Sequence, residues 1–411
     1  MDTLLIKNIG LLATPAGRTA RRGADQGDVG FLRDAWVRME DGVIAAVGTG
    51  TPERPAGAEE LDAEGRLVTP GLVDAHTHLI FGGWRQNELA MKLRGVPYLD
   101  ILAQGGGILS TVRATRSAGQ GALEDKARLA LDEMLSFGTT TCEAKSGYGL
   151  DLDTELKQLR AIRALNESHP VDLVPTFLGA HALPEAYKND RAGYIRLLCG
   201  EMIPAAAAEG LAEFCDVFCE TGVFTAEESR AILEAGKKYG LRPKIHADEI
   251  DPIGGSRLAG EIGAVSAEHL IVCPEEGITA MAAGGATACL LPCTSFYLGA
   301  AYAPARRMVE AGVPVAMATD FNPGSCPCLN MQLVMSLGCL KYRLTPEEVL
   351  TAVTLNGAAA IGRADRTGSV ESGKWGDLVI WEAEDLNYIC YRLGGNLART
   401  VIKKGVPYGK E

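Results

Sequence analysis

Five of the six histidines in this chain lie where an apolar, strand-like run comes to an end. These five are His76, His78, His181, His246 and His269, and the sixth, His169, precedes a strand instead. His76 and His78 stand two residues apart in DAHTH, a spacing that turns both side chains to the same face of a strand. Neutral imidazole is the commonest metal ligand in proteins, so this pair is suited to chelation. One histidine at a strand end is more often a hydrogen-bonded polar residue, and the indication of a metal site comes from the whole set.

Two residues further along the chain complete a candidate ligand set. His246 occurs in KIHADE and Asp320 in ATDFNPG, each at the end of a later strand-like run. With His76 and His78 they offer three imidazole nitrogens and one carboxylate, a combination suited to zinc or iron. These four residues are the predicted metal ligands, and an open position beside them would admit water.

The elements that would position these ligands alternate along the middle of the chain. Amphipathic stretches such as GALEDKARLALDEMLSFG and TAEESRAILEAGKKYG separate the apolar runs, a pattern typical of a parallel sheet covered by helices. Eight candidate strands can be counted, namely LVTPGLVDAHTHL, TTTCEAKSGYG, VDLVPTFLGAHAL, EFCDVFCE, RPKIHADE, AVSAEHL, ATACLLPC and PVAMATDFNP. Eight such units predict a (β/α)8 barrel of the TIM type with its active site at the C-terminal ends of the strands. The predicted ligands would then meet at that end.

Both ends of the chain lack the alternation of strand-like and helix-like stretches seen in the middle. The runs TLLIKNIGLLAT and AWVRMEDGVIAAVG near the start, and GDLVIWE and RTVIKKGVPY near the end, read as short strands joined by turns. Neither end has enough strands to bury a face alone, so we expect them to pair. The prediction is a small β-sandwich domain from residues 1–66 and 366–411, beside a catalytic barrel of residues 67–365.

Composition and charge exclude several classes of function. The chain of 411 residues is 47% hydrophobic and 22% charged, as in an ordinary globular protein. Its net charge of −12 gives no general attraction for nucleic acid or for an anionic membrane. An anionic small-molecule substrate would therefore need a local cation. The 11 cysteines follow no disulfide spacing, no secretion signal is recognised and no apolar run would span a bilayer, which favours the cytoplasm.

The motif PGLVDAHTHL, followed by HADE, SAEHL and TDFNPG, resembles the amidohydrolase superfamily. The resemblance implies a distorted barrel that holds metal beside a small β domain. Members with two metal ions usually carry a bridging lysine on the fourth strand, whereas that strand reads EFCDVFCE here. Lys145 ends the second strand and does not fit the bridging pattern, so we expect one transition metal ion per chain, zinc or iron. Whether Glu220 supports a second metal stays open.

Further segments resemble the imidazolonepropionase family within that superfamily, namely FGGWRQNELAMKLRG, GGGILSTVRATR, EAKSGYGLD, TFLGAHALP and DFNPGSCP. This resemblance implies hydrolysis of the ring C–N bond of 4-imidazolone-5-propanoate to N-formimidoyl-L-glutamate, by a homodimer. It also implies a set of substrate contacts, which are Arg85, Tyr148, His181, Glu249, Asn322, Gly324 and Ser325. Glu268 stands where aspartate is common, before His269.

The implied catalytic residues are Glu249, His269 and Asp320. Asp320 or His269 would accept the proton of the attacking water, and the sequence does not separate these two roles. Glu249 would carry a proton to the ring nitrogen that leaves, and Arg85 would bind the propionate. Two alternatives remain open at this point: a deaminase of a nucleobase or related ring, and a non-catalytic scaffold on the same fold.

Overall fold

The two ends of the chain pair into one sheet. The computed structural model describes residues 3–96 and 105–409. The strands of this terminal sheet are β1 (Thr3–Thr14), β2 (Gly30–Glu40), β3 (Val43–Thr49), β4 (Glu59–Asp62), β5 (Leu67–Pro70), β14 (Leu378–Trp381), β15 (Ala398–Lys403) and β16 (Val406–Gly409). Their order is β16-β15-β14-β5-β1-β2-β3, with β4 beside β1. The predicted small β domain is confirmed, and its strands form one continuous, mostly antiparallel sheet.

Alternation of side chains along these strands gives the terminal sheet two apolar faces. Ile6, Val37 and Ile380 belong to a core within the sheet domain. Val379 and Trp381, the neighbours of Ile380, belong to the larger core that also contains the barrel residues. The sheet is thus packed against the barrel through one face, because successive residues of a strand point to opposite sides.

Eight parallel strands form the barrel, and they neighbour one another in chain order. They are β6 (Leu72–Asp74), β7 (Thr139–Lys145), β8 (Asp172–Ala180), β9 (Phe214–Cys219), β10 (Arg242–Ala247), β11 (Ser266–His269), β12 (Thr287–Leu290) and β13 (Val315–Met317). Just beyond β6 and β13, Thr77 and Phe321 form an isolated parallel bridge. The amide of Asp320 also donates to the carbonyl of His76 at 3.1 Å. The predicted (β/α)8 barrel is confirmed. Its first and last strands meet beside His76 and Asp320, two of the predicted metal ligands.

Helices cover the barrel and connect its strands. They are α1 (Leu89–Leu93), α2 (Ile108–Ser117), α3 (Gln120–Ser136), α4 (Leu152–Ser168), α5 (Arg191–Leu197), α6 (Ile203–Ala208), α7 (Ala226–Lys238), α8 (Gly255–Ile262), α9 (Glu275–Gly284), α10 (Pro292–Leu298), α11 (Ala305–Glu310), α12 (Met331–Leu340), α13 (Pro346–Ala352), α14 (Leu355–Ala360) and α15 (Leu386–Tyr391). Short 3-10 turns lie at Gly23–Gly27, Gln86–Glu88 and Glu185–Tyr187, and a π-helical turn at Leu198–Met202.

Local sequence explains where several of these helices begin. The Thr225 hydroxyl accepts from the Glu228 amide while the Glu228 carboxylate accepts from the Thr225 amide, which starts α7 with a capping box. Asp151 caps α4 by accepting from the Thr154 amide at 2.8 Å. Within the part of the chain that the structure describes, none of these helices combines the length and apolarity needed to span a membrane.

Candidate active site

The four predicted metal ligands converge at the closure of the barrel. Oδ1 of Asp320 lies 3.4 Å from Nε2 of His76 and 3.5 Å from Nε2 of His78. Nε2 of His246 lies 3.5 Å from Nε2 of His78. A tetrahedral ion with metal–nitrogen distances of about 2.0–2.1 Å has ligand atoms about 3.3–3.4 Å apart. These three spacings are close to those expected between ligands of one small metal ion.

Unsatisfied polar atoms give an independent test of this fit. Nε2 of His76 and Oδ1 of Asp320 are buried and have no hydrogen-bond partner among the described residues. Leaving such a group unpaired costs roughly 1–3 kcal/mol, and more for a charged group. A metal ion at this position would satisfy both atoms. The donor set of three imidazoles and a carboxylate matches zinc or iron chemistry.

Asp320 is held in its orientation from several sides. Its backbone lies in the left-handed region, with φ of +57°, a strained conformation that a non-glycine residue adopts mainly where surrounding contacts impose it. The Thr294 hydroxyl donates to Oδ2 at 2.6 Å, so that Oδ1 faces the histidines. Burial raises the pKa of Asp320 above its ordinary value. His269 shares the left-handed backbone, with φ of +68°, and its ring reaches the same group of ligand atoms.

The histidines differ in their electrostatic environment. Burial lowers the pKa of His76 and of His78 well below the ordinary value. Burial also lowers the pKa of His181 to about 3 and that of His269 to about 4. These rings are neutral at pH 7 and keep a nitrogen lone pair. At His246 burial acts in the same direction, but the neighbouring Asp216 carboxylate outweighs it and raises the pKa.

Several buried charged residues lie close to the predicted ligands, and no role there was predicted for any of them from the sequence. Glu268 accepts from Nδ1 of His76, and Asp216 lies 3.0 Å from Nδ1 of His246. Glu143, His76 and Glu268 could by spacing hold a second metal ion. Lysine ammonium groups already occupy that region, because Lys244 Nζ lies 2.7 Å from Glu143 and 3.4 Å from Glu268. The sequence feature that could have revealed these residues is a single charged residue within an otherwise apolar strand.

Tyr148 and His181 pack beside His78, one of the predicted metal ligands. The His181 ring stacks on His78, with centroids 4.8 Å apart and an angle of 10° between planes, and the Tyr148 ring is 5.2 Å from His181. Nδ1 of His181 is 3.0 Å from the carbonyl of Gly147, which can only accept. Nε2 of His181 is therefore left as an acceptor. Glu155 accepts from the amides of Gly147, Gly149 and Leu150 and so fixes the loop that carries Tyr148.

Glu249 lies beside His269 at the rim of the site. Oε2 of Glu249 is 3.6 Å from Nε2 of His269, and 17% of the Glu249 side chain is exposed. Burial raises the pKa of Glu249 to about 7. The Glu220 carboxylate accepts from the amides of Ile250 and Asp251 at 2.9 and 3.0 Å. Glu220 thus braces the loop after Glu249, and it belongs to none of the metal-binding clusters formed by the described residues.

Arg85 packs against the loop that follows Asp320. A Cβ atom added to Gly324 would lie 1.1 Å from Nη2 of Arg85, so only glycine leaves room for the guanidinium. Nε of Arg85 is buried without a hydrogen-bond partner among the described residues. Oδ1 of Asn322 accepts from the amides of Gly324 and Ser325 at 2.8 and 2.7 Å. The Asn322 side chain therefore folds the loop that places Gly324 and Ser325.

Comparison with known proteins agrees with this geometry. Residues 67–406 match the amidohydrolase family. The chain is 53% identical to an imidazolonepropionase of Alkaliphilus metalliredigens, over 98% of this chain and 97% of the relative. It is 50% identical to an imidazolonepropionase of Geobacillus kaustophilus, with the same coverage. An adenosine deaminase from Xanthomonas campestris, solved with bound zinc, shares the fold with a TM-score of 0.73 at 22% identity, over 98% of this chain and 92% of that one. The chain belongs to the amidohydrolase family and, within it, to the imidazolonepropionases.

Proposed function

We propose that the chain hydrolyses 4-imidazolone-5-propanoate to N-formimidoyl-L-glutamate, the ring-opening step of histidine degradation. The observation that carries the substrate assignment is Arg85, whose guanidinium is seated on Gly324 with a buried Nε that lacks a hydrogen-bond partner among the described residues. Arginine binds a carboxylate through two parallel hydrogen bonds, and the net charge of −12 makes such a local cation necessary. Tyr148 and His181 would contact the ring, and Asn322, Gly324 and Ser325 would form the loop beneath it.

His76, His78, His246 and Asp320 would hold one metal ion, zinc or iron. When bound, such an ion lowers the pKa of coordinated water from about 16 toward about 7 and makes hydroxide accessible at neutral pH. In support of this proposal, ligand atoms of His76, His78 and His246 lie within 4.8 Å of one another, and Oδ1 of Asp320 lies 3.4 and 3.5 Å from Nε2 of His76 and of His78. Burial keeps His76 and His78 neutral, as a metal ligand must be.

His269 and Glu249 would handle the protons. Neutral His269 can accept a proton from water, and Asp320 is less suited because Oδ2 accepts from Thr294 and Oδ1 faces the predicted metal position. Glu249, whose carboxylate is 3.6 Å from His269, can donate a proton to the ring nitrogen that leaves. Its pKa of about 7 places both protonation states within reach at neutral pH.

We expect the purified protein to bind about one catalytic metal ion per chain. The proposed ligands form one site, and the neighbouring group of His76, Glu143 and Glu268 is already neutralised by Lys244. Metal analysis by plasma mass spectrometry after gel filtration measures the ratio. Two tightly held ions per chain, both needed for turnover, would contradict the single-ion assignment.

Arg85→Ala should weaken the apparent affinity for imidazolone propionate by roughly 2–4 kcal/mol, as expected when a charged partner is left unpaired in a pocket. An imidazolone analogue without the carboxylate should lose little, so the two compounds and two proteins form a double-mutant cycle. Arg22→Ala changes an exposed arginine of the segment between β1 and β2 and serves as the control. Equal losses for both compounds would assign Arg85 a purely structural role and reopen the neutral-ring deaminase.

We propose a homodimer in the cytoplasm, with residues 1–66 and 366–411 as the small domain and 67–365 as the catalytic barrel. An exposed apolar patch on α12 and α15 and just beyond it supports self-association, and its members are Leu340, Tyr388, Tyr391 and Leu393.

A further inference from the structure

Five charged residues form a fully buried cluster inside the barrel, beneath the predicted metal position. We call Glu143, Lys145, Asp216, Lys244 and Glu268 the barrel ion cluster, and all five are 0% exposed. Lys145 lies 2.9 Å from Glu143 and 2.8 Å from Asp216, and Lys244 lies 2.7 Å from Glu143. These residues come from four strands, β7, β9, β10 and β11, whose side chains alternate between the inside and outside of the barrel.

Two carboxylates of this cluster contact metal-ligand histidines. Oε2 of Glu268 is 2.5 Å from Nδ1 of His76, and Oδ2 of Asp216 is 3.0 Å from Nδ1 of His246. An ionised carboxylate only accepts hydrogen bonds, so Nδ1 of His76, which is hydrogen-bonded to Glu268, must carry the proton. Nδ1 of His246 lies at ion-pair distance from Asp216 without hydrogen-bond geometry, and the carboxylate favours a proton on that nitrogen. The lone pair of each ring then lies on Nε2, the atom that faces the other ligands. His78 differs because, among the described residues, its Nδ1 has neither a hydrogen bond nor a carboxylate within ion-pair distance, and its one ion pair is through Nε2.

We propose that Glu268 and Asp216 are positioning residues that fix the tautomer and ring orientation of His76 and His246 for metal binding. Three neighbours hold the two carboxylates in place. Lys145 lies 2.8 Å from Asp216, Lys244 lies 3.4 Å from Glu268, and the Ser266 hydroxyl donates to Glu268 at 2.5 Å. Glu143 links the two lysines. The proposal rests on the four-ligand metal site of the proposed function, and it assigns to the barrel ion cluster the control of that site's affinity.

The test compares metal binding by Glu268→Gln and Asp216→Asn with that of the wild-type protein. Each variant should bind Zn²⁺ about 10- to 100-fold more weakly in competition with a chromogenic chelator, and should alter the visible absorption spectrum of bound Co²⁺. Asp377→Asn is the matched control, because Asp377 is a buried carboxylate paired with Lys403 at 2.7 Å in the terminal sheet. It should leave Zn²⁺ affinity and the Co²⁺ spectrum unchanged. Wild-type affinity and spectrum in both active-site variants would overturn the proposal.

A measurement on the wild-type protein keeps the proposal testable if a variant fails to fold. Nitrogen-15 labelling of the six histidines allows ring tautomers to be read by nuclear magnetic resonance in the metal-free protein. At a pH where both rings are neutral, His76 and His246 should carry the proton on Nδ1, and a neutral ring with its proton on Nε2 at either position would refute the assignment. Retention of metal by His76→Ala would overturn the metal site itself, whereas normal affinity in Glu268→Gln and Asp216→Asn would overturn only this inference.

Discussion

Replacing His76 by alanine is expected to remove the metal ion and turnover together. His76 is one of the four proposed metal ligands, and its Nε2 lies 3.4 Å from Oδ1 of Asp320 across the predicted metal position. Its loss should weaken metal binding by more than the roughly 10- to 100-fold that follows loss of an outer hydrogen-bonding partner. Metal content after dialysis and turnover of imidazolone propionate, measured on the same sample, report both effects.

His169 provides the matched control for this change. It is the one histidine of the chain that lies away from the site, where its ring is 3.2 Å from Asp132 and accepts from the Val171 amide. His169→Ala should lower stability while leaving metal content and turnover per folded molecule at the wild-type level. A His76→Ala protein that keeps a full complement of metal would show that the ligands are misassigned.

Glu249→Gln is expected to reduce turnover by about 10² or more while metal stays bound. Glutamine has the size of glutamate but cannot release a proton to the leaving nitrogen. Burial raises the pKa of Glu249 to about 7, so the acid form is abundant below pH 7 and is lost as pH rises through that value. The Glu249-dependent part of kcat should therefore fall with increasing pH above about 7, and this limb should be absent from the variant.

The pH profiles of the wild-type and Glu249→Gln proteins decide between two roles for this residue. A proton donor gives the large loss and the missing alkaline limb together. Near-normal turnover with an unchanged profile would reduce Glu249 to an orienting contact beside His269, 3.6 Å away.

The sequence was sufficient to predict the barrel, and to propose residues for the metal site, because both leave local signals. Alternating apolar and helical stretches gave eight strands, and each ligand stands at or just after a strand end, as His76 and His246 do. The barrel ion cluster could not be predicted in the same way. Glu143, Asp216 and Lys244 come from different strands, and their pairing depends on which positions face inward at the same height of the closed barrel.

The loop after Asp320 shows a second limit of sequence reasoning. The family resemblance predicts Asn322 as a substrate contact, and the structure shows its amide oxygen accepting from the backbone of Gly324 and Ser325. The close approach of Arg85 to Gly324 likewise joins two segments far apart in the chain. Such contacts follow from the folded path of the loop, so spacing along the sequence carries no sign of them.

The most direct test of the proposed function is the product formed from 4-imidazolone-5-propanoate by the purified, metal-loaded protein. Mass spectrometry should show a product heavier than the substrate by one water molecule, with the mass of N-formimidoyl-L-glutamate and without release of ammonia. Removal of the metal should abolish formation of this product, and adding the metal back should restore it. Release of ammonia from a nucleobase, with imidazolone propionate left intact, would contradict the assignment.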